Sequence, residues 1–197
     1  MRAAWYERTG PAGEVIIVGE QPAPEAGPGE VRIRLMASGV NPADGNRRRG
    51  QGYRMEAPFV IPNSDGAGVI DQAGAGVTRF KEGDRVWLYN GQRNGRNLGT
   101  AAEFIALVAD LVTPLPANVT FEAGACLGIP CMTAHRCVFA GGPLTGKTVL
   151  VTGQGDCMNL VVTNATNAES MQVLSIREED RRGRHLVPSR PRPRSSR

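Results

Sequence analysis

The sequence has few aromatic and charged residues, few cysteines and no long hydrophobic run. Aromatic residues make up 5% of the 197 residues and charged residues 21%, whereas hydrophobic residues make up 41%, which excludes a disordered or fibrous chain. The four cysteines form no C-x-x-C pair, which excludes a zinc ribbon and a disulfide framework. The longest uncharged apolar run, 123–134, is far shorter than the roughly 20 residues that span a bilayer, and residues 1–8 lack the apolar segment of a signal peptide. We therefore expect a cytoplasmic protein that does not bind membranes.

Positive charge is concentrated near the end of the chain. The formal net charge is +4, and residues 177–197 contain eight arginines against three acidic residues, so the rest of the chain is nearly neutral. From residue 181 onward Pro, Arg and Ser dominate, a composition that predicts a disordered tail over 181–197. The tail has no interleaved aromatic residues and contains no recognised nucleic-acid-binding module, so we do not expect nucleic acid as a partner.

Glycine and proline divide residues 1–118 into short segments with β-strand character. The clearest is 30–40, where Val31, Ile33 and Leu35 occupy alternate positions, which predicts a strand with one buried face. Six short strands separated by turn-forming residues predict a small barrel or sandwich. The other predicted strands are 15–18, 67–70, 85–89, 103–108 and 111–115.

The pattern becomes helical after residue 119. Thr120 is a candidate N-cap for a helix that continues to Cys137, and Pro130 predicts a kink or a break into two pieces. Cys126, Cys131 and Cys137 are predicted to be buried thiols on this helix.

A β-branched run over 147–152 leads directly into Gly153-Gln154-Gly155, as at the start of a dinucleotide-binding unit. Met158 stands where the G-x-G-x-x-G fingerprint has its third glycine. Residues 156–180 are therefore predicted to be an incomplete or degenerate remnant of a nucleotide domain.

Motifs in a fixed order across residues 1–153 carry a resemblance to a known family. The motifs include Pro28-Gly29-Glu30-Val31, Ser38-Gly39-Val40-Asn41-Pro42-Ala43-Asp44, Asp65-Gly66-Ala67-Gly68 and Gly146-Lys147-Thr148-Val149-Leu150-Val151. With them the chain resembles the medium-chain dehydrogenase/reductase superfamily, and within it the zinc-free NADPH:quinone oxidoreductase (zeta-crystallin-like) branch. The resemblance implies a mainly β, chaperonin-10-like (GroES-like) domain over 1–118, followed over 119–155 by a connecting helix and the first strand of an incomplete α/β Rossmann domain.

The resemblance also implies a reaction without a metal. Asn41 and Ser64 stand where the zinc-dependent alcohol dehydrogenases of the superfamily carry Cys and His, and neither replacement is a competent zinc ligand. Without a Lewis acid, the feasible chemistry is hydride transfer from NADPH to an acceptor that is already electrophilic. A small-molecule quinone or conjugated enone is the acceptor that this reasoning predicts.

The family motifs imply roles for individual residues. Asn41 and Thr133 resemble positions that contact the nicotinamide end of NADPH, and Gly153 and Gly155 resemble the start of the turn that holds its pyrophosphate. Tyr53 resembles a residue that lines the acceptor pocket. No catalytic residue is assigned with certainty.

Residue type alone leaves alternatives for these positions. Asn41 is also suited to a turn before Pro42, Thr133 to bonding a helix carbonyl, and Tyr53 to packing at the rim of a β domain. The carboxyl groups of Asp44 and Asp65 are suited to general acid work, but Asp in loops more often forms turns or caps, and we predict the latter role for both.

Two functions of different classes are compatible with the sequence. The first is an NADPH-dependent quinone or enone reductase in which truncation, alternative splicing or a frameshift after Gly155 leaves this chain with little or no activity of its own. The second is a non-catalytic β domain that forms a homo-oligomer, docks on a full-length relative, or acts through its arginine-rich tail. An NADPH titration discriminates between them.

Overall fold

The computed structural model describes residues 1–92, 95–140 and 142, together with the backbone of 148–152 and 172–176. The chain divides into two compact units, Met1–Ile129 and Pro130–Arg197. The predicted tail over 181–197 and most of the predicted remnant over 156–180 lie outside the described residues.

The first unit is built mainly from short antiparallel strands. Its elements are β1 Arg2–Trp5, α1 Ala12–Val15, β2 Ile17–Glu20, β3 Glu30–Gly39, α2 Pro42–Arg48, β4 Asp65–Ala73, β5 Arg85–Leu88, β6 Phe104–Val108, β7 Val112–Pro114 and α3 Phe121–Gly124. Five of the strands form one sheet in the order β6-β3-β4-β5-β7, and β1 pairs separately with β2. Because β6 and β7 lie at its two edges, the ladders of the described residues form an open sheet rather than a closed barrel.

The central strand β3 confirms the prediction made for 30–40. Val31 and Ile33 are fully buried, whereas Arg32 lies on the other face, where its guanidinium donates two hydrogen bonds of 3.1 Å to the Asp71 carboxylate on β4. Alternation along the strand therefore separates the core from the polar surface. The core of the sheet comprises Val31, Ile33, Ile70, Phe80, Val86, Leu88, Ile105, Leu107 and Val112.

The predicted strand over 15–18 is wrong in its position. Val15 is the last residue of α1 and is buried with Tyr6 and Val60, while the strand β2 begins at Ile17 and pairs with β1. Ile17 and Val18 are 41% and 66% exposed. The β-branched run is thus split, because Val15 packs into the core from a helical turn and only the later residues have a strand partner.

The helical region after residue 119 confirms both its predicted cap and its predicted break. The Thr120 hydroxyl accepts a hydrogen bond from the backbone N–H of Ala123 at 3.2 Å, and α3 ends at Gly124. The segment Leu127–Cys131, which includes Pro130, is kinked at Gly128, whose dihedral angles are not helical, and it separates α3 from α4 (Met132–Phe139). Proline lacks the N–H that would continue the helical ladder, which accounts for the break.

The prediction of buried cysteines is wrong for Cys126 and Cys137, which are exposed, while Cys131 is partly buried. The buried positions at the end of α3 are taken by Gly124 and by the residue that caps the helix, Ala125. Successive helical residues are rotated by about 100° around the helix axis, so the next residue, Cys126, lies outside the packed face.

The second unit contains α4 and two strands, β8 (Thr148–Thr152) and β9 (Gln172–Ile176), which pair in parallel. Strand β8 confirms the prediction for 147–152, and β9 was not predicted. No helix in the described part of the chain has the length and apolar character needed to cross a bilayer.

Candidate functional site

Asn41 lies at the junction between β3 and α2, where it caps the helix. Pro42 occupies the first helical position, for which its fixed φ is suited, and the Asp44 carboxylate accepts a hydrogen bond from the Asn41 backbone N–H at 2.8 Å. Asn41 is only 6% exposed and Asp44 only 4%. The capping contact therefore holds a neutral carboxamide in a buried position at the end of a central strand.

The Asp65 carboxylate orients the Asn41 side chain. Asp65 is the first residue of β4 and is fully buried, and its Oδ2 accepts a hydrogen bond from Asn41 Nδ2 at 2.9 Å. The same oxygen accepts the backbone N–H of Ile129 at 2.7 Å. A Cβ on Gly128 would collide with this carboxylate, so glycine permits the close approach. One carboxylate thus links the Asn41 loop to the segment that follows α3.

A second layer of hydroxyl and amide groups supports this pair, in which Asn63 and Thr100 are buried and Ser38 is exposed. The Thr100 hydroxyl donates to the backbone carbonyl of Asp65 at 2.7 Å and lies 2.8 Å from the Ser38 hydroxyl, which in turn accepts from Asn63 Nδ2 at 3.0 Å. Ser64 is 1% exposed. Hydrogen bonding of this kind offsets the desolvation of buried polar groups and fixes their geometry.

The metal-ligating capacity of this region is low. Asn41 and Ser64 contribute an amide and a hydroxyl, and no cluster of three or more His, Cys, Asp and Glu suited to a metal ion occurs within the described residues. The donor set around Asn41 is instead suited to hydrogen-bonding a neutral polar group.

Tyr6 is fully buried and packs with Val15 and Val60. Its hydroxyl has no hydrogen-bond partner in the part of the chain that the structure describes. Burial raises the pKa of Tyr6 to about 12, and Tyr53 also raises it, while the charges of Arg47 and Arg48 lower it. Tyr6 is therefore neutral over the physiological pH range.

Tyr53 lies in the loop that follows α2, with its ring centre 5.2 Å from the guanidinium carbon of Arg47. It lines a cavity of about 210 Å³ together with Arg54 and Arg96. It also lines a more open cavity beside Thr9 and Gly50. Tyr53 thus faces accessible space.

The structure brings only part of the predicted site together. Asn41 and Tyr53 lie in the first unit, near opposite ends of α2, whereas Thr133 is exposed on α4 in the second unit. Gly153 and Gly155 lie outside the described residues. The roles predicted for these residues remain predictions.

Sequence reasoning missed the helix α2 and the contact between Asp65 and Ile129. The spacing of Asn41 and Asp44 is that of a capping box, and with Pro42 at the first helical position it would have predicted α2. Asp44 acts as the cap residue that the sequence predicted, but Asp65 lies in a strand rather than in a turn. No local signal pairs Asp65 with Ile129, which lies 64 residues away.

Comparisons with known proteins agree with this architecture. Residues 27–117 match the alcohol dehydrogenase GroES-like domain. The quinone oxidoreductase of Mus musculus is 37% identical over 146 residues, which cover 74% of this chain and 43% of that protein. The chloroplastic NADPH-dependent alkenal/one oxidoreductase of Arabidopsis thaliana is 31% identical over 71% of this chain and 37% of its own length. A mycobacterial protein solved in complex with NADPH aligns with a TM-score of 0.76 and 32% identity, covering 89% of this chain and 52% of that one.

These matches bear out the predicted fold, a mainly β GroES-like domain followed by part of an α/β domain. The chain spans less than half the length of these two curated relatives.

Proposed function

The chain belongs to the quinone oxidoreductase branch of the medium-chain dehydrogenase/reductase superfamily, and from that membership we propose that its protein reduces quinones or conjugated enones with NADPH and without zinc. The relatives' names support a reductase that uses a nicotinamide cofactor. The observation that carries the proposal is the buried pair of Asn41 and Asp65, which provides an oriented carboxamide at the position where a zinc enzyme needs an anionic or imidazole ligand.

The residues present fit the nicotinamide end of the cofactor. The Asn41 Nδ2 group donates its hydrogen bond to Asp65. This hydrogen bond fixes the rotation of the Asn41 carboxamide and directs the carboxamide oxygen away from the Asp65 carboxylate. An oriented amide can hold a neutral nicotinamide or a ribose hydroxyl without introducing charge next to the reacting carbon. When bound, NADPH supplies the hydride that reduces an electrophilic acceptor.

The protein's contribution in this proposal is positioning. Asn41, held by Asp65 and by the cap at Asp44, restricts the orientation of the nicotinamide end, and Tyr53 lines the space for the acceptor. Correct orientation of two reactants lowers the entropic part of the barrier. Met158 stands in place of the third fingerprint glycine, so we expect weak NADPH binding and slow turnover when residues 1–197 are tested alone.

Reduced nicotinamide mononucleotide tests the proposal, because it carries only the end of the cofactor that Asn41 would contact. We expect the side-chain amide resonances of Asn41 to shift on titration, and the shift of neighbouring signals to be lost in Asn41→Ser. Asn46→Ser is the matched control, because Asn46 is an exposed asparagine on the same helix. Equal binding by both variants, or shifts that avoid the region of Asn41, would contradict the proposal.

Turnover provides a second readout. Consumption of NADPH with a simple quinone is expected to be far below the roughly 10 per second that is typical of enzymes. Submillimolar NADPH affinity combined with rapid quinone reduction would overturn the expectation that this chain alone has little activity.

A further inference from the structure

The cavity at the C-terminal end of α2 is lined by more positive than negative charge. Arg47, Arg54 and Arg96 contribute guanidinium groups to its wall, and Glu56 contributes a carboxylate. Its volume is about 210 Å³, which is small compared with the roughly 300 to 1,000 Å³ of sites that enclose a drug-sized ligand. The cavity therefore suits one small anionic group or ring.

Arg47 is held in place by neutral partners. Its Nη1 donates hydrogen bonds to the backbone carbonyl and to the side-chain oxygen of Gln92, the latter at 3.0 Å, and Gln92 is 2% exposed. The guanidinium also lies 5.2 Å from the centre of the Tyr53 ring. Neutral acceptors and an aromatic face fix the position of the cation without cancelling its charge.

Arg96 is partly buried and is also bonded to neutral groups. Its Nε donates to the carbonyl of Gly91 at 3.0 Å and its Nη2 to the carbonyl of Ala106. Burial lowers its pKa from the ordinary value. The charge of Glu30 opposes this lowering to a smaller extent. A cation that loses hydration and donates its hydrogen bonds to carbonyls is stabilised when an anion approaches it.

We propose that this cavity binds a carboxylate group of the acceptor, so that the preferred substrates are quinones or enones that carry a carboxylate. The planar guanidinium matches a carboxylate through two parallel hydrogen bonds, and the Tyr53 ring supplies an apolar face for the attached ring or chain. Six residues of helix rise separate Asn41 from Arg47, which corresponds to about 9 Å. The proposal therefore requires an acceptor that spans at least this distance between its reacting carbon and its carboxylate.

The substrate preference rests on the proposed reductase function, but binding to the cavity can be tested without NADPH. The probes are benzoate, its neutral isostere benzamide, and inorganic phosphate, each titrated into residues 1–197 at low salt and followed by backbone amide shifts. We expect saturable binding of benzoate at the amides of Tyr53 and Asn97, at least about tenfold weaker binding of benzamide, and weakening by added salt.

Arg54→Gln is the informative variant, because Arg54 is exposed and its replacement is expected to leave the fold intact. Benzoate affinity should fall about tenfold or more in Arg54→Gln, as expected for loss of one charge-assisted contact, and further in Arg47→Gln. Arg34→Gln, which removes an exposed arginine outside the cavity, should bind as the wild type does.

Three results would overturn the proposal: benzoate and benzamide binding equally, phosphate binding as tightly as benzoate at the same amides, or Arg54→Gln binding normally with an unchanged Tm. Failure of the proposed reductase function would instead appear as absent shifts around Asn41 with the reduced mononucleotide. The two failures are thus seen in different titrations.

Discussion

Tyr6 combines complete burial with a hydroxyl that has no hydrogen-bond partner in the part of the chain that the structure describes. A buried polar atom without a partner costs about 1 to 3 kcal/mol of desolvation. We therefore expect Tyr6→Phe to be neutral or to raise the free energy of unfolding at pH 7 by up to about 2 kcal/mol. Urea unfolding followed by circular dichroism measures the difference.

Tyr53→Phe is the matched control for this substitution, because Tyr53 lines a cavity and is only partly buried. Its unfolding free energy should change by no more than about 0.5 kcal/mol. A loss of more than about 1 kcal/mol in Tyr6→Phe would mean that the hydroxyl has a partner in solution, such as a trapped water.

From the raised pKa of Tyr6 we also expect a loss of stability at high pH. Burial raises the pKa of Tyr6 from 10.0 to about 12, so the folded protein retains the phenolic proton after the unfolded chain has released it. The contribution of the Tyr6 proton to the free energy of unfolding is fully present below pH 10 and is lost as pH rises through about 12. The total loss is roughly 3 kcal/mol. Between pH 9 and pH 11 the unfolding free energy of the wild type should fall more than that of Tyr6→Phe. Parallel slopes for the two proteins would contradict the assignment.

Asp65 is the residue on which the geometry of the candidate site depends. Removing its carboxylate in Asp65→Ala leaves a buried donor, Asn41 Nδ2, and a partly buried donor, the Ile129 N–H, without the acceptor that they share. Each donor left without an acceptor costs about 1 to 3 kcal/mol. We therefore expect Asp65→Ala to lower the free energy of unfolding, measured by thermal or urea unfolding, by roughly 2 to 5 kcal/mol.

Asp65→Asn should lower the free energy of unfolding less than Asp65→Ala does, because a carboxamide oxygen still accepts a hydrogen bond. Asp110→Ala removes an exposed carboxylate and should stay close to the wild type. If Asp65→Ala were as stable as Asp110→Ala, the carboxylate would not be what holds the Asn41 loop.

At the level of elements, the pairing of β3 with β4 depends on a glycine. Gly68 on β4 lies opposite Leu35, and a Cβ at this position would collide with the carbonyl oxygen of Arg34. We expect Gly68→Ala to destabilise the first unit by about 1 to 3 kcal/mol or more, because neither backbone can move without loss of the ladder. Gly13→Ala in α1 meets no atom within 4 Å and should be neutral or slightly stabilising, which makes it the control for the Tm measurement.

Elements whose signal is local were predictable from the sequence, and those fixed by distant packing were not. The alternation of Val31 and Ile33 and the cap at Thr120 are local patterns, and both are confirmed. Val15 was assigned to the wrong element because only its packing against Tyr6 and Val60 distinguishes it from the strand residues that follow.

The candidate site also combines features that have a local sequence signal with contacts between distant parts of the chain that have none. Asn41 was proposed from its motif and its role stays a prediction, whereas its hydrogen-bond partner Asp65 lies 24 residues away and was assigned to a turn or cap. Arg47 and Gln92 approach each other across 45 residues, a contact that no spacing rule predicts.

On the scale of the whole molecule, the first compact unit extends beyond the matched domain. The family match ends at residue 117, but the unit continues to Ile129. Within it, Phe121, Ala125 and Leu127 pack with Ala67 and Leu115. The segment over 118–129 therefore completes the core of the β domain.

Arg85 depends on this segment as well. Its guanidinium lies 4.5 Å from the Phe121 ring centre and donates to the carbonyl of Val119 at 2.6 Å. A chain that ends at 117 would expose apolar surface of Ala67 and Leu115 and remove partners of Arg85 and Asp65 together. Burial of one large side chain contributes about 1.5 to 3 kcal/mol to the free energy of unfolding, and each hydrogen bond contributes about 1 kcal/mol. Ending the chain at 117 should therefore lower the free energy of unfolding by roughly 3 to 6 kcal/mol.

We therefore expect residues 1–129 to unfold in one cooperative transition and residues 1–117 to have a much lower Tm or no transition. The control is residues 1–129 with Glu122→Gln, which alters an exposed side chain of α3 and leaves its packed face intact. If residues 1–117 unfolded with the same Tm and denaturant slope as 1–129, α3 would not belong to the cooperative unit. The Ile129 contact would then be too weak to hold the Asp65 carboxylate against Asn41. Such a result would remove the structural basis for an oriented carboxamide at the candidate site, because that orientation depends on a carboxylate that both segments share.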